Sequence, residues 1–467
     1  MLKKSLLPML LGICISFSFP ATVFAGSVPV IPDDIYNQID TCLQSEFVKA
    51  HIPGSAVSIV EKDSILFEKT YGNCTDLNAS FIIGSQSKSF TALAIMQLYE
   101  AGKIDLDAAI NTYLPNIREG DKITVRQLLN QTSGLPVYAV QNNFTVTNAQ
   151  GRHVYANANY GLLGQIISSV SGMHYEEYIE TYIFKPLNMS HSFTSLKDAK
   201  SDGLMCTGYR NYFGFMVPEN IAYPTADDTG WTSVAAGYLI SSSADMGKYL
   251  QMYLNGGGDL LSSRGIDTLF YDHVQIEDGL YYGMGWILNE SCSEPVIEHS
   301  GAVENYISYM FILPERGLAV TILTNANDFF IGNAMMEKVG DGLIQILLGS
   351  ESDSISKWDY WLQHSLLNVI FLLLIVLSLL PVFFRKRWKR KVTGKLTTKQ
   401  ILTLLLLHLI APAVICLLPV FLGQPLYVVR RFVPDLFWVL MFSAGILCVT
   451  GIYKLIYQLT TCKSFGY

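Results

Sequence analysis

Apolar positions come in short, bounded groups through most of this chain and in long unbroken runs near its end. A helix is predicted at Asp34–Lys49. Two strand-like runs follow, Ser55–Glu61 and Ile65–Tyr71, with Lys62-Asp63-Ser64 between them as a hairpin turn. From 84 to 270 the pattern is mostly helical, with long loops. Strand character returns at Gly283–Leu288, Pro295–His299, Tyr306–Leu313 and Leu318–Asn325, with Pro314-Glu315-Arg316-Gly317 as a turn. A last helix, Gly332–Leu348, has apolar residues at helical spacing. Strands at both ends around a helical middle predict an α+β fold. One antiparallel sheet is flanked by helices, with a helical lobe inserted.

The long runs are Leu366–Phe384, Ile401–Leu422 and Leu436–Tyr453, and none contains Lys, Arg, Asp or Glu. Each is about long enough to cross a bilayer, so three transmembrane helices are predicted. The connection Arg385-Lys386-Arg387-Trp388-Lys389-Arg390-Lys391 belongs in the cytoplasm by the positive-inside rule. The segment before Leu366 is then exterior, as is Gly423–Asp435 despite Arg430 and Arg431. At the other end, Lys3 and Lys4 precede the apolar run Ser5–Phe19, then Pro20 and Val23-Phe24-Ala25. That pattern reads as a secretory signal peptide cleaved after Ala25. The expected division is a signal peptide over 1–25, an exterior domain over 26–350 and a linker over 351–365. Membrane helices follow over 366–459, with a cytoplasmic tail over 460–467.

Composition sharpens this division. The chain has 467 residues, and its 50% hydrophobic content is concentrated in those runs. Residues 26–357 carry 18 basic and 37 acidic side chains, a net −19, whereas 358–467 carry 12 and 2, a net +10. An acidic exterior domain argues against nucleic acid as a partner and favours neutral or cationic substrates. Cys42, Cys74, Cys206 and Cys292 fall in the exterior part, where disulfides persist, and they allow three pairings. No His/Cys/Asp cluster has metal-ligand spacing, so neither a metal nor a cofactor is expected.

Ser85-Gln86-Ser87-Lys88 follows the apolar run Phe81-Ile82-Ile83-Gly84 and opens a helical stretch. Side chains at i and i+3 share a helix face, so the Ser85 hydroxyl and the Lys88 amine can meet. A lysine with a lowered pKa can then take the hydroxyl proton and make Ser85 a nucleophile. The same tetrad recurs as Ser354-Ile355-Ser356-Lys357, in the linker, where no role is expected. Tyr155-Ala156-Asn157 lies just before a helix running from Tyr160 to Val170. Other Tyr-x-Asn strings start at Tyr71, Tyr209 and Tyr253 and lack that context. His299-Ser300-Gly301 is the only His-x-Gly here and ends a predicted strand. Such an edge can pair with substrate backbone, and its N–H groups can line an oxyanion site.

Ser85-x-x-Lys88, Tyr155-x-Asn157 and His299-Ser300-Gly301 occur in an order and context that resemble the penicillin-recognising serine hydrolases. The nearest branch is that of class C β-lactamases and D-Ala-D-Ala peptidases. Thr124–Leu135, Pro186–Met189, Ala236–Asp245 and Asn255-Gly256-Gly257 also fit, so the resemblance spans about residues 30–350. It implies that Ser85 forms an acyl-enzyme and that Lys88 and Tyr155 share proton transfer, with Tyr155 activating the deacylating water. It implies that Asn157 binds a substrate amide. The N–H groups of Ser85 and of a residue after His299-Ser300-Gly301 would hold the oxyanion.

His299 stands where many β-lactamases have lysine, which removes a cation that pairs with a substrate carboxylate. Beyond Gly301 the chain reads Ala302-Val303-Glu304-Asn305-Tyr306. Asn305 or Glu304 is expected to reach the pocket and read a polar side chain, or else to be a surface loop. The exterior hydrolase with three membrane helices resembles peptidases that remove an N-acyl-D-amino-acid cap from peptide prodrugs outside the membrane; the alternatives are a cell-wall D-Ala-D-Ala peptidase, a weak β-lactamase or esterase, and a catalytically silent sensor of β-lactams or cell-wall peptide. The expected partners are a small-molecule or peptide substrate containing a D-amino acid and the lipid bilayer. His408, inside the second apolar run, is expected to pack between helices.

Overall fold

The computed structural model describes residues 32–464, apart from 222, 225–229, 330 and 393–396. The segment read as a signal peptide, 1–25, lies outside the described residues. Eight strands form one antiparallel sheet: β1 (Gly54–Glu61), β2 (Ile65–Gly72), β3 (Val274–Glu277), β4 (Leu280–Tyr282), β5 (Ile287–Asn289), β6 (Val296–Val303), β7 (Tyr306–Leu313) and β8 (Leu318–Thr324). Their spatial order is β2-β1-β8-β7-β6-β5-β4-β3. The N-terminal hairpin thus joins the sheet against the last strand, with Ser55 opposite Thr324 and Glu61 opposite Leu318.

β1, β7 and β8 are buried on both faces, which is why they read as nearly continuous apolar runs. The strand period of two sorts their side chains. Val57, Ile59, Phe311, Leu313, Val320 and Ile322 face the helices Asp33–Lys49 and Gly332–Leu347. Ala56, Val60, Met310, Ile312, Ala319 and Leu323 belong to a second core with the helices Ser87–Glu100, Asn157–Ser171 and Ser243–Leu254. The α+β architecture is therefore as the pattern predicts. The helical lobe between β2 and β3 builds the second core, and the site lies between that lobe and the sheet.

Two strands differ from expectation. Of the run Gly283–Leu288 only Ile287 and Leu288 are strand, in β5; residues 283–286 bend between β4 and β5, turned by Gly285 at φ +82°. The strand expected to end at His299 runs on to Val303, because β7 supplies a partner at every step, Gly301 opposite Ser308 and Val303 opposite Tyr306. Among the described residues the cysteines Cys42, Cys74, Cys206, Cys292, Cys416 and Cys448 are free thiols.

Three helical stretches, 359–389, 398–421 and 434–461, are long and apolar enough to cross a membrane. The first begins inside the segment read as a linker, at Asp359. Its first turns pack on the hydrolase part, with Tyr360 buried and His364 hydrogen-bonded to Asp328 at 2.7 Å. The second contains a π turn, Leu406–Ile410. Pro412 has no N–H for the His408 carbonyl four residues earlier, so the regular ladder cannot close there.

Candidate active site

Ser80–Ile82, paired with Ile240–Ser242, runs into one 3₁₀ turn, Gly84–Gln86, and then into the helix Ser87–Glu100. Gly84 has φ +56°, and a Cβ there would lie 2.4 Å from the Ala302 nitrogen. A Cβ on Gly301 would lie 2.1 Å from the Ile83 carbonyl oxygen and 3.0 Å from the Ser85 nitrogen. These two glycines let the Ser85 turn lie directly against β6. Between Ser80 and Met96, Ser85 alone keeps some exposure.

Lys88 is fully buried. Its amine donates to Ser85 Oγ at 3.0 Å and to the Ala236 carbonyl at 2.5 Å. Burial holds its pKa well below the ordinary lysine value. Once deprotonated, the amine keeps one N–H on Ala236 and has a lone pair free for the Ser85 proton.

Tyr155 leads into the helix Asn157–Ser171, and its ring centre stands 4.8 Å from the Lys88 amine. Part of its surface opens to the cleft. Burial nevertheless pushes its phenol well above the usual range, Tyr282 adds to this, and a hydrogen bond with Ser85 offsets part. Asn157 is the first residue of the helix, and its Oδ1 is buried without a partner.

His299 Nδ1 lies 2.6 Å from the Ser300 carbonyl. A carbonyl only accepts, so Nδ1 carries the proton and Nε2 is left as an acceptor. That Nε2 is buried and has no partner. Burial and then the neighbouring Lys88 lower the imidazole pKa to about 3, with the Ser300 bond opposing them. His299 is therefore uncharged at neutral pH. Ser300 is exposed and Gly301 lies against the nucleophile turn. Since β5 pairs only with Val296–Glu298, the β6 edge from His299 onward has no strand partner.

Ser85, Lys88, Tyr155, His299 and Gly301 are thus brought together, with Asn157 and Ser300 beside them along the chain. Asn305 does not join them. Val303 pairs with Tyr306, so Glu304 and Asn305 form a tight turn held from outside the cleft. Asn305 Nδ2 donates to the Glu219 carbonyl at 2.7 Å, and its side chain packs on Gly208. Glu304 is buried, accepts from Tyr238 at 3.1 Å and is bound by Arg431. Asn305 Nδ2 and the Glu304 carboxylate are thus engaged away from Ser85, while Asn305 Oδ1 is buried without a partner and the side chain lines a separate pocket with Gly208, Glu219 and Tyr306.

The second tetrad stays apart from any cleft. Ser354 is bonded to Glu46 and Lys49, and Lys357 lies over the Trp358 ring. Sequence reasoning missed three contributors: the Ala236 carbonyl, Tyr160 and Tyr282. The Tyr160 ring centre is 5.7 Å from the Lys88 amine. The Tyr282 ring stands 6.0 Å from Tyr155 and 6.2 Å from His299. Ala236 did lie in a segment that fitted the family resemblance, but a main-chain carbonyl carries no residue signature.

Comparison with known proteins bears on the fold and the family. A penicillin-binding protein homologue from Pyrococcus abyssi, an octamer, is 28% identical, with a TM-score of 0.60 over 69% of this chain and 80% of that one. A class C β-lactamase shares the fold at 19% identity, with a TM-score of 0.58 over 69% of this chain and 98% of its own. A D-stereospecific amidohydrolase from Streptomyces shares it at 22% identity, with a TM-score of 0.52 over 65% and 97%. The family model described as Beta-lactamase matches residues 39–334, more than half of the chain, and the chain belongs to that family of serine hydrolases.

Proposed function

We propose that this chain is a membrane-anchored serine hydrolase whose nucleophile is Ser85 and whose substrates are amides containing a D-amino acid. The observation that carries the reading is the buried Lys88 amine, 3.0 Å from Ser85 Oγ. Lys88 takes the hydroxyl proton as Oγ attacks the substrate carbonyl carbon. The N–H groups of Ser85 and of the β6 edge receive the oxyanion. Lys88 keeps the Ser85 proton while Tyr155 gives its own phenolic proton to the leaving nitrogen, so an ester on Ser85 remains with a phenolate beside the Lys88 ammonium. That phenolate draws a proton from water, which attacks the ester, and Lys88 returns its proton to Ser85 Oγ as the acid leaves.

Two unpaired acceptors, His299 Nε2 and Asn157 Oδ1, call for N–H donors on the substrate. Neither can pair with a carboxylate. This supports a carboxamide-bearing substrate, such as an N-acyl-D-asparagine cap removed in prodrug maturation, over a β-lactam. The D configuration rests on the family resemblance. The penicillin-binding homologue favours a second reading, trimming of acyl-D-Ala-D-Ala cell-wall peptides.

The catalytic part is assigned to the exterior. The Arg431 contact with Glu304 supports placing the 423–435 loop on the same side as the cleft, with the basic 385–399 connection opposite.

The test has two steps. A fluorescent fluorophosphonate is expected to label the full chain and not Ser85→Ala, whereas Ser354→Ala labels normally. Equal labelling of Ser85→Ala would sink the nucleophile assignment. Rates of hydrolysis of an N-acyl-D-Asn amide, its L-epimer, acyl-D-Ala-D-Ala and nitrocefin then decide the class. Fastest turnover of nitrocefin would make the chain a β-lactamase, and fastest turnover of acyl-D-Ala-D-Ala would move it to the cell wall.

A further inference from the structure

At the end of the apolar helices farthest from the hydrolase part lies a cavity of about 570 Å³. One wall is apolar, with Leu377, Leu380, Phe384 and Leu407; the rim is basic, with Arg387, Lys391 and Lys454. We infer that this groove binds an anionic phospholipid, its phosphate on the basic rim and an acyl chain along the apolar wall.

Charge is the first argument. The stretch 358–467 carries 12 basic residues and only Asp359 and Asp435 to balance them. Both carboxylates sit at the opposite end, where Asp359 opens the first helix and Asp435 accepts from the Phe213 N–H. Among the described residues no ion pair involves Arg387, Lys391 or Lys454. Their counter-charge therefore has to come from outside the chain.

Depth is the second. Lys454 follows Pro434 by twenty residues on one helix. At about 1.5 Å per residue that is about 30 Å, the thickness of a bilayer's hydrocarbon core. The basic rim thus falls at the phosphate level of the far leaflet.

The third is the hold on Lys454. Its side chain is buried, at 4% exposure, and its described hydrogen-bond partner is His408 Nε2 at 2.9 Å. His408 Nδ1 lies 2.8 Å from the Leu447 carbonyl, an acceptor, so Nδ1 carries the proton and Nε2 accepts from Lys454. Lys454 is fixed by a neutral acceptor, its amine stands 5.7 Å from the centre of the Trp388 ring, and it lines the groove together with Trp388. A buried amine built this way is expensive in a membrane unless an anion meets it. Free phosphate would satisfy the rim and leave the apolar wall bare; a zwitterionic lipid would fill the wall and bring no net charge.

The full-length protein in neutral detergent is titrated with dioleoylphosphatidylglycerol, dioleoylphosphatidylcholine or inorganic phosphate while its thermal unfolding is followed. The phosphatidylglycerol is expected to raise the midpoint, and the other two to leave it in place. Juxtamembrane cations contribute enough that each one removed weakens binding about fivefold. The exposed pair Arg387→Gln and Lys391→Gln together should therefore shift the titration by about 25-fold. Lys454→Met should abolish the selectivity if it folds. An equal response to both lipids, a matching response to phosphate, or wild-type behaviour of the exposed double variant would overturn the assignment.

Discussion

A lysine can act as a base only after losing its proton, and burial of Lys88 without a carboxylate partner favours that loss. The sign of the pH effect follows. Acylation should fail as acid protonates Lys88, and the lowered pKa carries the active range below that of an ordinary lysine. His299, with a pKa of about 3, cannot supply an acid limb nearer neutrality. We expect Lys88→Ala and Tyr155→Phe each to reduce turnover by about 100-fold or more, with the acid limb absent from the residual activity of Lys88→Ala. Steady-state rates against pH check both; a retained limb would assign it to another group. His299 also links pH to stability. Between its unfolded value of 6.5 and its folded value of about 3, the unfolded chain binds the extra proton, so stability drops as pH falls through that window. His299→Asn should flatten this slope in denaturant titrations. Candidates of this kind can be picked out in the sequence because their side chains carry the chemistry at a helical or strand spacing. The surroundings of Asn305 were not legible, because a turn residue's direction is set by what lies across from it, here Gly208 and Glu219, far away in sequence.

Strands and helices were legible wherever one period ran long enough. Tyr306–Leu313 has the boundaries the pattern predicts, and the helix Gly332–Leu347 differs by one residue at its end. Pattern failed where pairing decides the outcome. β6 continues through polar and glycine positions only because β7 accompanies it to Val303. That extension matters for chemistry, since it brings Gly301 against the Ser85 turn and leaves an open edge beside it. Gly301→Ala is therefore expected to act through position. The added methyl has to displace the Ile83 carbonyl or the Ser85 backbone, and a shift of about 1 Å at a reacting group costs on the order of 100-fold. The measurement is the rate of fluorophosphonate labelling, with circular dichroism confirming the fold. Wild-type labelling would show that the turn and strand can separate without consequence.

The hydrolase part and the C-terminal apolar helices are joined by polar contacts that no local pattern announces. Arg431, on the short helix Leu426–Phe432 between the second and third apolar helices, binds both Glu304 and the Tyr238 hydroxyl. Glu304 is in the turn that ends β6, and Tyr238 lies two residues past the carbonyl that holds Lys88. One guanidinium therefore ties the C-terminal apolar helices to the turn after β6 and to the segment that carries the Ala236 carbonyl. This also accounts for a basic pair in a loop assigned to the exterior: Arg431 is held there by a carboxylate. Removing one member of such a pair leaves the other charge buried alone, at a cost of about 3–5 kcal/mol. Glu304 is 2% exposed, so it is the member that would be stranded. Arg431→Met should lower the unfolding midpoint and slow Ser85 labelling, whereas Arg431→Met with Glu304→Gln should recover most of the stability. Thermal unfolding of the three full-length proteins in detergent decides the matter. If Arg431→Met alone unfolds like the wild type, the contact bears no weight and the two parts are joined only through the helix that starts at Asp359. If the double variant regains stability but not labelling rate, the guanidinium positions the cleft as well as anchoring it.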